Sequence, residues 1–229
     1  MSALLALSNV TASYGPSQAL FDVSLSIGEG EVVALMGRNG MGKSTTVKTI
    51  CGMLPSSGEI RFKDKVIGGM PSHKVARLGV GLVPEGRRCF ADLSVEENLT
   101  AAARPGTWDF AKVAELFPRL AERRNQKAAS LSGGEQQMLA IGRALMTNPI
   151  LVILDEATEG LAPIIRQEIW AAISHLKNSS GLSILLVDKS LKELQQVADQ
   201  GVILERGRTV WSGRMTDLDA ETGEKYLGI

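Results

Sequence analysis

The feature that most constrains this chain is the glycine-rich segment Gly37-Arg38-Asn39-Gly40-Met41-Gly42-Lys43-Ser44, which follows an apolar run at 32–36. It matches the pattern G-x-x-x-x-G-K-[S/T] of a phosphate-binding loop. In such a loop backbone N–H groups surround a β-phosphate, the lysine reaches the β- and γ-phosphates, and the serine hydroxyl ligates Mg²⁺. A ligand-free glycine turn is the alternative. The strand-like run before the segment and the helical pattern after it favour a nucleoside triphosphate site. The predicted phosphate contacts are Gly37, Asn39, Gly40, Gly42, Lys43, Ser44 and Thr45.

Length and composition bound the class of protein. With 229 residues, the chain is long enough for one large core or two unequal lobes. Its 25 basic and 25 acidic residues balance, so nucleic acid is not an expected partner. Cys51 and Cys89 lack zinc-type spacing and are interpreted as reduced packing residues. The sequence shows neither a signal peptide nor an apolar run long enough to span a membrane, so we expect a soluble protein inside the cell that reaches a membrane only through a partner.

The first part of the chain predicts a small antiparallel β region. Residues 4–10 and 19–27 have strand patterns, and Tyr14 falls in the loop between them. This aromatic residue has two interpretations. It is a partly buried rim residue, or it stacks on an adenine ring, for which an aromatic face is well suited.

The middle of the chain changes from strands to helices. A turn is predicted at 56–58, a strand at 59–62 and another strand at 78–83, which ends before Pro84-Glu85-Gly86. From about 87 to 148 the pattern is helical, with Ser94 and Glu97 spaced as a capping box. We therefore expect a helical insert, 86–148, within a nucleotide-binding core formed by 1–85 and 149–229.

A second glycine-rich segment, Leu131-Ser132-Gly133-Gly134-Glu135-Gln136-Gln137, begins a predicted helix. Ser132 and Glu135 fit a capping box, which is the simpler interpretation. It leaves the two glycines unexplained, although each costs up to about 1 kcal/mol relative to alanine inside a helix. Close approach of N–H groups to an anion would explain them. Ser132, Gly133 and Gly134 are therefore predicted to contact phosphate.

Two carboxylates follow the apolar strand predicted at 150–154. A parallel strand buried on both faces reads as such an apolar run, and its carboxyl end lies beside the phosphate loop. Asp155 is predicted to hold the Mg²⁺ shell and Glu156 to polarise the attacking water. The alternative is that the pair only caps the next helix. Further along, a helix begins at Pro163, a strand spans 183–187, and Ser190 with Glu193 fits another capping box.

The phosphate loop, LSGGEQQ and the Asp-Glu strand, in that order, resemble the ATP-binding subunits of ABC transporters along essentially the whole chain. LSGGEQQ is the specific element. The resemblance implies an α/β P-loop NTPase core of ABC type, with an N-terminal antiparallel β subdomain and a helical insert. It also implies a head-to-tail dimer around two ATP molecules, in which Ser132 and Gly134 touch the γ-phosphate held by the other subunit. The segment 160–163 matches the loop that crosses between the two sites.

The segments 83–90 and 93–99 resemble a narrower group, the shorter ATPase subunit of branched-chain (hydrophobic) amino acid importers. The resemblance implies a second ATPase subunit as partner, in a homodimer or a heterodimer with a longer paralogue. It further implies two transmembrane permease subunits and, indirectly, a periplasmic binding protein. The expected location is the cytoplasmic face of the inner membrane, where the chain is peripheral through the permeases.

Two positions depart from the general ABC pattern. Glu85 stands where most members have a glutamine that contacts Mg²⁺ and the attacking water; a glutamate can still bind the metal but adds negative charge. Lys189 stands where most members have a histidine; lysine can neutralise γ-phosphate charge but cannot accept a hydrogen bond. We therefore list Glu156, Lys43 and Lys189 as catalytic, and Ser44, Asp155 and Glu85 as metal ligands. A site that uses Lys189 is expected to hydrolyse ATP more slowly than its counterpart.

The prediction is an ATPase whose closure on ATP drives an importer. The activity is predicted to depend most on Lys43, Ser44, Asp155 and Glu156. Two other classes remain as alternatives. One is a soluble ABC-type ATPase acting on nucleic acid or the ribosome, although the chain has no tandem cassette or basic arm. The other is a nucleotide-binding switch with little hydrolysis. The solute is left open between branched-chain amino acids, urea-like amides and aromatic acids.

Overall fold

The computed structural model describes residues 3–228, and its framework is a mixed sheet of ten strands within that range. The strands are β1 (Leu5–Tyr14), β2 (Ser17–Ile27), β3 (Val32–Met36), β4 (Ser56–Phe62), β5 (Lys65–Val66), β6 (Val80–Val83), β7 (Leu151–Asp155), β8 (Ser183–Val187), β9 (Gln200–Glu205) and β10 (Arg208–Arg214). The helices are α1 (Lys43–Ile50), α2 (Ser72–Arg77), α3 (Val95–Thr100), α4 (Phe110–Leu116), α5 (Pro118–Glu122), α6 (Gly133–Leu145), α7 (Pro163–Ser180), α8 (Leu191–Val197) and α9 (Ala220–Leu227).

The sheet has an antiparallel side and a parallel side. Its strand order is β5-β4-β1-β2-β10-β9-β3-β8-β7-β6. β1 pairs antiparallel with β2 and β4, and β9 pairs antiparallel with β10. From β9 onward the strands β9, β3, β8, β7 and β6 pair with one another in parallel. Because β3, β7 and β8 are parallel, the loops that follow them emerge at the same edge of the sheet. This arrangement confirms the predicted α/β class with an antiparallel N-terminal region.

The central strands are buried on both faces, as their apolar sequences predict. Val32, Ala34 and Met36 of β3 belong to the core that includes the inner faces of α3, α6 and α7. The alternate residues Val33 and Leu35 belong to the core beneath β1, β2 and α1. A strand has a side-chain period of two, so β3 contributes to both cores at once. This double anchoring fixes the starting point of the loop that follows β3.

The chain between β6 and β7 forms α3 to α6. Capping boxes are present at the start of α3, between Ser94 and Glu97, and at the start of α6, between Ser132 and Glu135. Both predicted caps are therefore confirmed. The residues from Arg87 to Leu93 contain no helix, although the sequence pattern favoured one from about residue 87.

The predicted turn at 56–58 is wrong, because these residues begin β4. Gly58 has a φ of 86°, and a Cβ there would lie 2.4 Å from the backbone oxygen of Asn9 on β1. The register between β1 and β4 shifts between Ser8 and Thr11. Gly58 thus allows a bulge inside a strand pair, a local signal that resembles a turn in the sequence.

Two element boundaries and one predicted helix cap also differ from the predictions. β1 extends to Tyr14, which pairs with Ser17 across a tight hairpin, so Tyr14 ends a strand rather than lying in a long loop. α1 ends at Ile50. Ser190 does not cap α8, because its ψ of 76° is not the extended conformation of a capping residue, and its hydroxyl instead accepts a hydrogen bond from Arg166 at 2.9 Å.

Both cysteines are free thiols with packing positions. Cys51 is buried, and burial raises the pKa of its thiol to about 12, so that it stays neutral. Cys89 is half-buried and donates to the carbonyl of Gln136. In the described part of the chain, no helix combines the length and the apolar character needed to cross a membrane.

Candidate nucleotide site

The phosphate loop, residues 37–44, joins β3 to α1 and closes on its own lysine. The Nζ of Lys43 donates to the carbonyl oxygens of Gly37 at 2.8 Å and Arg38 at 3.1 Å. The side chain is 4% exposed. Burial lowers the pKa of Lys43, and the nearby Glu156 carboxylate partly offsets this effect. Because its only direct acceptors in this loop are carbonyl oxygens, the ammonium group can exchange them for phosphate oxygens.

Packing explains two glycines of the phosphate loop. Gly37 has a φ of 141°, and a Cβ there would lie 2.4 Å from the backbone oxygen of Leu204 on β9. Gly42 has a φ of 104°, and a Cβ there would lie 2.8 Å from Cδ2 of Leu20 on β2. Both residues therefore occupy the left-handed region and approach a neighbouring strand too closely for a side chain. Contacts with β9 and β2 therefore fix the conformation of the phosphate loop.

Asp155 ends β7 and faces the start of α1. The hydroxyl of Ser44 donates to Oδ1 of Asp155 at 3.3 Å, and Asp155 is buried. Burial raises the pKa of this carboxyl group, with the hydrogen bond from Ser44 acting in the opposite direction. Carboxylate and hydroxyl oxygens are the hard ligands that Mg²⁺ prefers, and a divalent cation would favour the charged form of the buried carboxylate. The residues therefore fit a magnesium ion.

Glu156 lies next to Asp155 in a strained backbone conformation. Its φ is 51°, and its N–H donates to the carbonyl of Val187 on β8 at 2.8 Å. Its Oε1 lies 3.9 Å from Nζ of Lys43. Burial, followed by a hydrogen bond with Glu159, raises the pKa of Glu156 to about 7. A carboxylate with such a pKa is suited to act as a general base near neutral pH, and backbone strain of this kind concentrates at functional sites.

Glu159 is a site residue that the sequence analysis missed. Carboxylate oxygens of Glu85, Glu156 and Glu159 all lie within 4.8 Å of one another. The only sequence signal was the spacing of Glu159 three residues after Glu156, on the same turn of chain. Glu85 is exposed, and its charge contributes to raising the pKa of Asp155.

Lys189 follows β8 and forms an ion pair with Glu159. Its Nζ donates to Oε1 of Glu159 at 2.8 Å, and its backbone N–H donates to Oδ1 of Asp188. The hydrogen bond to Glu159 raises the pKa of Lys189, so the side chain is charged. In this structure the ammonium group is therefore held by a carboxylate beside the phosphate loop.

Most of these side chains line a cavity of about 340 Å³, whereas the buried Asp155 is not among its lining residues. Tyr14 is not among its lining residues; its hydroxyl lies 3.5 Å from Oγ1 of Thr45, and its ring centroid lies 5.4 Å from Nζ of Lys48. Adenine stacking on Tyr14 stays a prediction. The cavity brings together most of the predicted site residues, and its lining consists of Asn39, Gly40, Gly42, Lys43, Ser44, Thr45, Glu85, Glu156, Glu159 and Lys189.

The LSGGEQQ segment does not line this cavity. Ser132 caps α6, and a Cβ on Gly133 would lie 2.1 Å from Nη1 of Arg87. A Cβ on Gly134 would lie 2.6 Å from Cγ2 of Ile165 on α7. Both glycines therefore have a packing role within the chain, which the sequence could not show. The sequence analysis also missed Arg87, whose Nη2 donates to the carbonyl of Gly160.

A phosphate loop at the end of a buried parallel strand, with a second strand ending in two carboxylates beside it, defines a P-loop nucleoside triphosphatase. Comparison with known families is more specific. The family model described as ABC transporter matches residues 20–159. The chain belongs to the ABC transporter family, as an ATP-binding subunit.

Relatives and solved structures agree with this assignment. The chain is 44% identical to the high-affinity branched-chain amino acid transport ATP-binding protein BraG of Pseudomonas aeruginosa, over 98% of this chain and 100% of BraG. Its structure superposes with a TM-score of 0.85 on the ADP conformation of MJ1267, an ATP-binding cassette of an ABC transporter, at 26% identity and with full coverage of both chains. It also resembles MJ0796, described as a dimeric post-hydrolysis cassette bound to ADP and Pi, with a TM-score of 0.79, 26% identity, and coverage of 92% of this chain and 98% of that one.

The comparisons confirm the predicted resemblance and the predicted activity. The chain is an ATP-hydrolysing subunit of the ABC class. An ATPase that acts on nucleic acid or the ribosome is not favoured, because a transport subunit matches along nearly the whole chain.

Proposed function

We propose that this chain powers a membrane importer for branched-chain or other hydrophobic amino acids. The observation that carries the ATP-driven role is the cavity in which the phosphate loop meets Glu156. The 44% identity to BraG along the full chain supports the solute class. The alternative solutes are urea-like amides and aromatic acids, and the uptake experiment below distinguishes them from branched-chain amino acids.

Within the site, each residue has a distinct part. The N–H groups of the phosphate loop and Lys43 bind the β- and γ-phosphates, and Thr45 lies at the edge of the same cavity. Ser44 and Asp155 would hold Mg²⁺, with Glu85 nearby; the ion would neutralise phosphate charge when bound. Glu156 orients the attacking water and takes its proton.

A complete site requires a second subunit. Ser132, Gly133 and Gly134 lie outside the cavity of their own chain, so in the proposed head-to-tail dimer they contact the γ-phosphate held by the other subunit. The similarity to a cassette described as dimeric supports this arrangement. The second subunit is another copy or a longer paralogue. With a paralogue, we expect the site that uses Lys189 to turn over more slowly.

The permease subunits are proposed to dock on the helical subdomain, 86–148, together with the Glu85 loop. A groove of about 400 Å³, which Glu85 itself does not line, lies where this subdomain meets the core. Met53 and Phe90, which line this groove, are 57% and 51% exposed, an unusual exposure for large apolar side chains. Docking there would place the chain on the cytoplasmic face of the membrane. A periplasmic binding protein would take part only through the permeases.

The first test compares wild type with Glu156→Gln in steady-state ATP hydrolysis and in size-exclusion chromatography with and without ATP. We expect the variant to lose at least about a hundredfold in turnover, because it cannot accept the proton, and to accumulate as an ATP-dependent dimer. Glu168→Gln, which removes a carboxylate from an ion pair with Arg119 away from the cavity, is the matched control. Equal turnover of wild type and Glu156→Gln would contradict the assigned base.

The solute is tested by uptake. Cells that lack this chain should lose high-affinity uptake of labelled leucine, isoleucine and valine, and the wild-type chain, but not Glu156→Gln, should restore it. Loss of aromatic acid or amide uptake with unchanged leucine uptake would contradict the amino acid proposal while leaving the ATPase assignment intact.

A further inference from the structure

Two contacts tie the loop after β7 to the loop after β8. Oγ1 of Thr158 donates to Oδ2 of Asp188 at 2.6 Å, and Nζ of Lys189 donates to Oε1 of Glu159 at 2.8 Å. The other oxygen of Asp188 accepts the N–H groups of Lys189 at 2.8 Å and Ser190 at 2.9 Å. Asp188 therefore fixes the backbone from which the Lys189 side chain extends, and Glu159 fixes where its ammonium group lies.

The charges around the cavity oppose a triphosphate in this arrangement. Of the charged side chains that line it, three are glutamates and two are lysines. Lys43 can turn from its carbonyl acceptors to the phosphates, but Lys189 is paired with Glu159 and leaves the glutamates in excess. A γ-phosphate that enters the cavity therefore meets carboxylates unless Lys189 changes partner.

We propose that Glu159 is a specificity-determining residue that holds Lys189 and competes for it with the γ-phosphate of ATP. The inference rests on the proposed nucleotide site. Through this competition, the Glu159–Lys189 pair sets how strongly the site prefers a nucleoside triphosphate to a diphosphate.

The exposure of the pair makes such an exchange feasible. The side chains of Lys189 and Glu159 are 44% and 50% exposed, and ion pairs of that exposure contribute about 0.2–1 kcal/mol. A phosphate group carries more negative charge than a carboxylate and can take the ammonium group from it. ADP has no γ-phosphate and leaves the pair intact, so the effect of Glu159 should be confined to triphosphates.

A double-mutant cycle tests the exchange in the single chain. Equilibrium binding of ADP and of the β,γ-methylene analogue of ATP, with Mg²⁺, is measured by calorimetry for wild type, Glu159→Gln, Lys189→Met and the double variant. We expect Glu159→Gln to tighten binding of the triphosphate analogue about three- to fivefold when Lys189 is present, and by less than about twofold when it is methionine. Lys189→Met alone should weaken analogue binding. ADP affinity should be equal in all four proteins, which also shows that each is folded.

Three results would overturn the inference. These are equal tightening of analogue binding by Glu159→Gln in both backgrounds, weaker analogue binding, and a parallel change in ADP affinity. Each outcome assigns Glu159 a role that does not involve exchange of Lys189. Glu168→Gln, which breaks the Arg119 ion pair, is the matched control and should change neither affinity. If wild type bound neither nucleotide, both the proposed function and this inference would be wrong. If wild type bound both nucleotides but the double-mutant cycle showed no coupling between Glu159 and Lys189, only the inference would be wrong.

Discussion

The phosphate loop and the LSGGEQQ segment of this molecule both place glycines before or at the start of a helix. They differ in how much of a nucleotide site each one forms within the single chain. At the phosphate loop, Lys43 already reaches into a cavity that also contains Glu156. At the start of α6, Gly133 and Gly134 make room for Arg87 and Ile165 of the same chain and line no part of that cavity.

This difference indicates that nucleotide binding depends on contacts within one chain, whereas turnover in the proposed dimer depends on a second subunit. The phosphate loop is held by contacts within one chain, so a single subunit has what it needs to bind ATP. In the proposed head-to-tail dimer, the LSGGEQQ segment contributes only when a second subunit brings it to the nucleotide. Substitutions at the two ends should therefore separate binding from turnover.

The largest effect is expected for Gly37→Ala. The new Cβ would lie 2.4 Å from a backbone oxygen of β9, at a φ of 141°. We expect a loss of about 2–3 kcal/mol in the free energy of unfolding, and a loss of ATP affinity on the order of a hundredfold as the loop is displaced. Urea unfolding and calorimetric ATP titration measure the two quantities.

Gly69→Ala is the control for Gly37→Ala. Gly69 has a φ of 75°, but no atom lies within 4 Å of the position of its Cβ. It should cost only about 1 kcal/mol, through backbone strain, and leave ATP affinity unchanged. If Gly37→Ala behaved like this control, the contact with β9 would not be what holds the phosphate loop.

Gly134→Ala is expected to have a smaller effect on stability than Gly37→Ala, and to lower turnover rather than ATP affinity. Its Cβ would lie 2.6 Å from Cγ2 of Ile165, a branched side chain packed against the core, and overpacking of this kind costs about 1–3 kcal/mol. ATP affinity of the single chain should be unchanged, while turnover and ATP-dependent dimer formation fall at least about tenfold.

Gly133→Ala and Ile165→Ala sharpen this prediction. Gly133→Ala meets only the flexible end of Arg87, so its stability should stay within about 0.5 kcal/mol of wild type while turnover still falls. Ile165→Ala combined with Gly134→Ala should recover part of the lost stability. A fall in the ATP affinity of the single chain with either glycine variant would show that the two ends are not separate.

Features with a strict local requirement could be predicted from the sequence. The apolar runs of β3, β7 and β8 and the serine caps of α3 and α6 each depend on residues within a few positions of one another. These predictions hold in the structure, because burial on both faces of a strand and capping of a helix leave few alternatives for the local sequence.

Features that depend on distant partners could not be predicted. Gly58 read as a turn because its bulge is defined by Asn9, on another strand. Glu159 gained its importance from Lys189, thirty positions away, and Arg87 from Gly133. A single sequence shows which residues are present but not which of them come into contact, because those contacts depend on the order of the strands in the sheet.

The smallest predicted effect is a pH dependence of stability at Glu156. The pKa of Glu156 is raised from 4.5 to about 7 in the nucleotide-free chain, first by burial. Between these pH values the native state therefore holds a proton that the unfolded chain has released, so stability falls as pH rises through this window. Glu156→Gln carries no such proton. We expect it to exceed wild type in stability by roughly 1 kcal/mol at pH 8, allowing for solvent screening at the cavity mouth, and by close to zero at pH 5.

Glu135, at the other end, should show the opposite sign. Despite its burial, hydrogen bonds from Ser132 and an ion pair with Arg123 hold the pKa of its carboxyl group below the ordinary 4.5. It therefore contributes stability above pH 4.5 that is lost as pH falls, so Glu135→Gln should be less stable than wild type at pH 7, with the deficit shrinking toward pH 3. Urea unfolding of both variants across this range measures the contrast. If the stability difference between Glu156→Gln and wild type did not change with pH, the shape of the side chain rather than its charge would explain the effect. A difference that grows with pH would instead mean that the phosphate-loop end keeps a carboxylate that costs stability and that only catalysis requires.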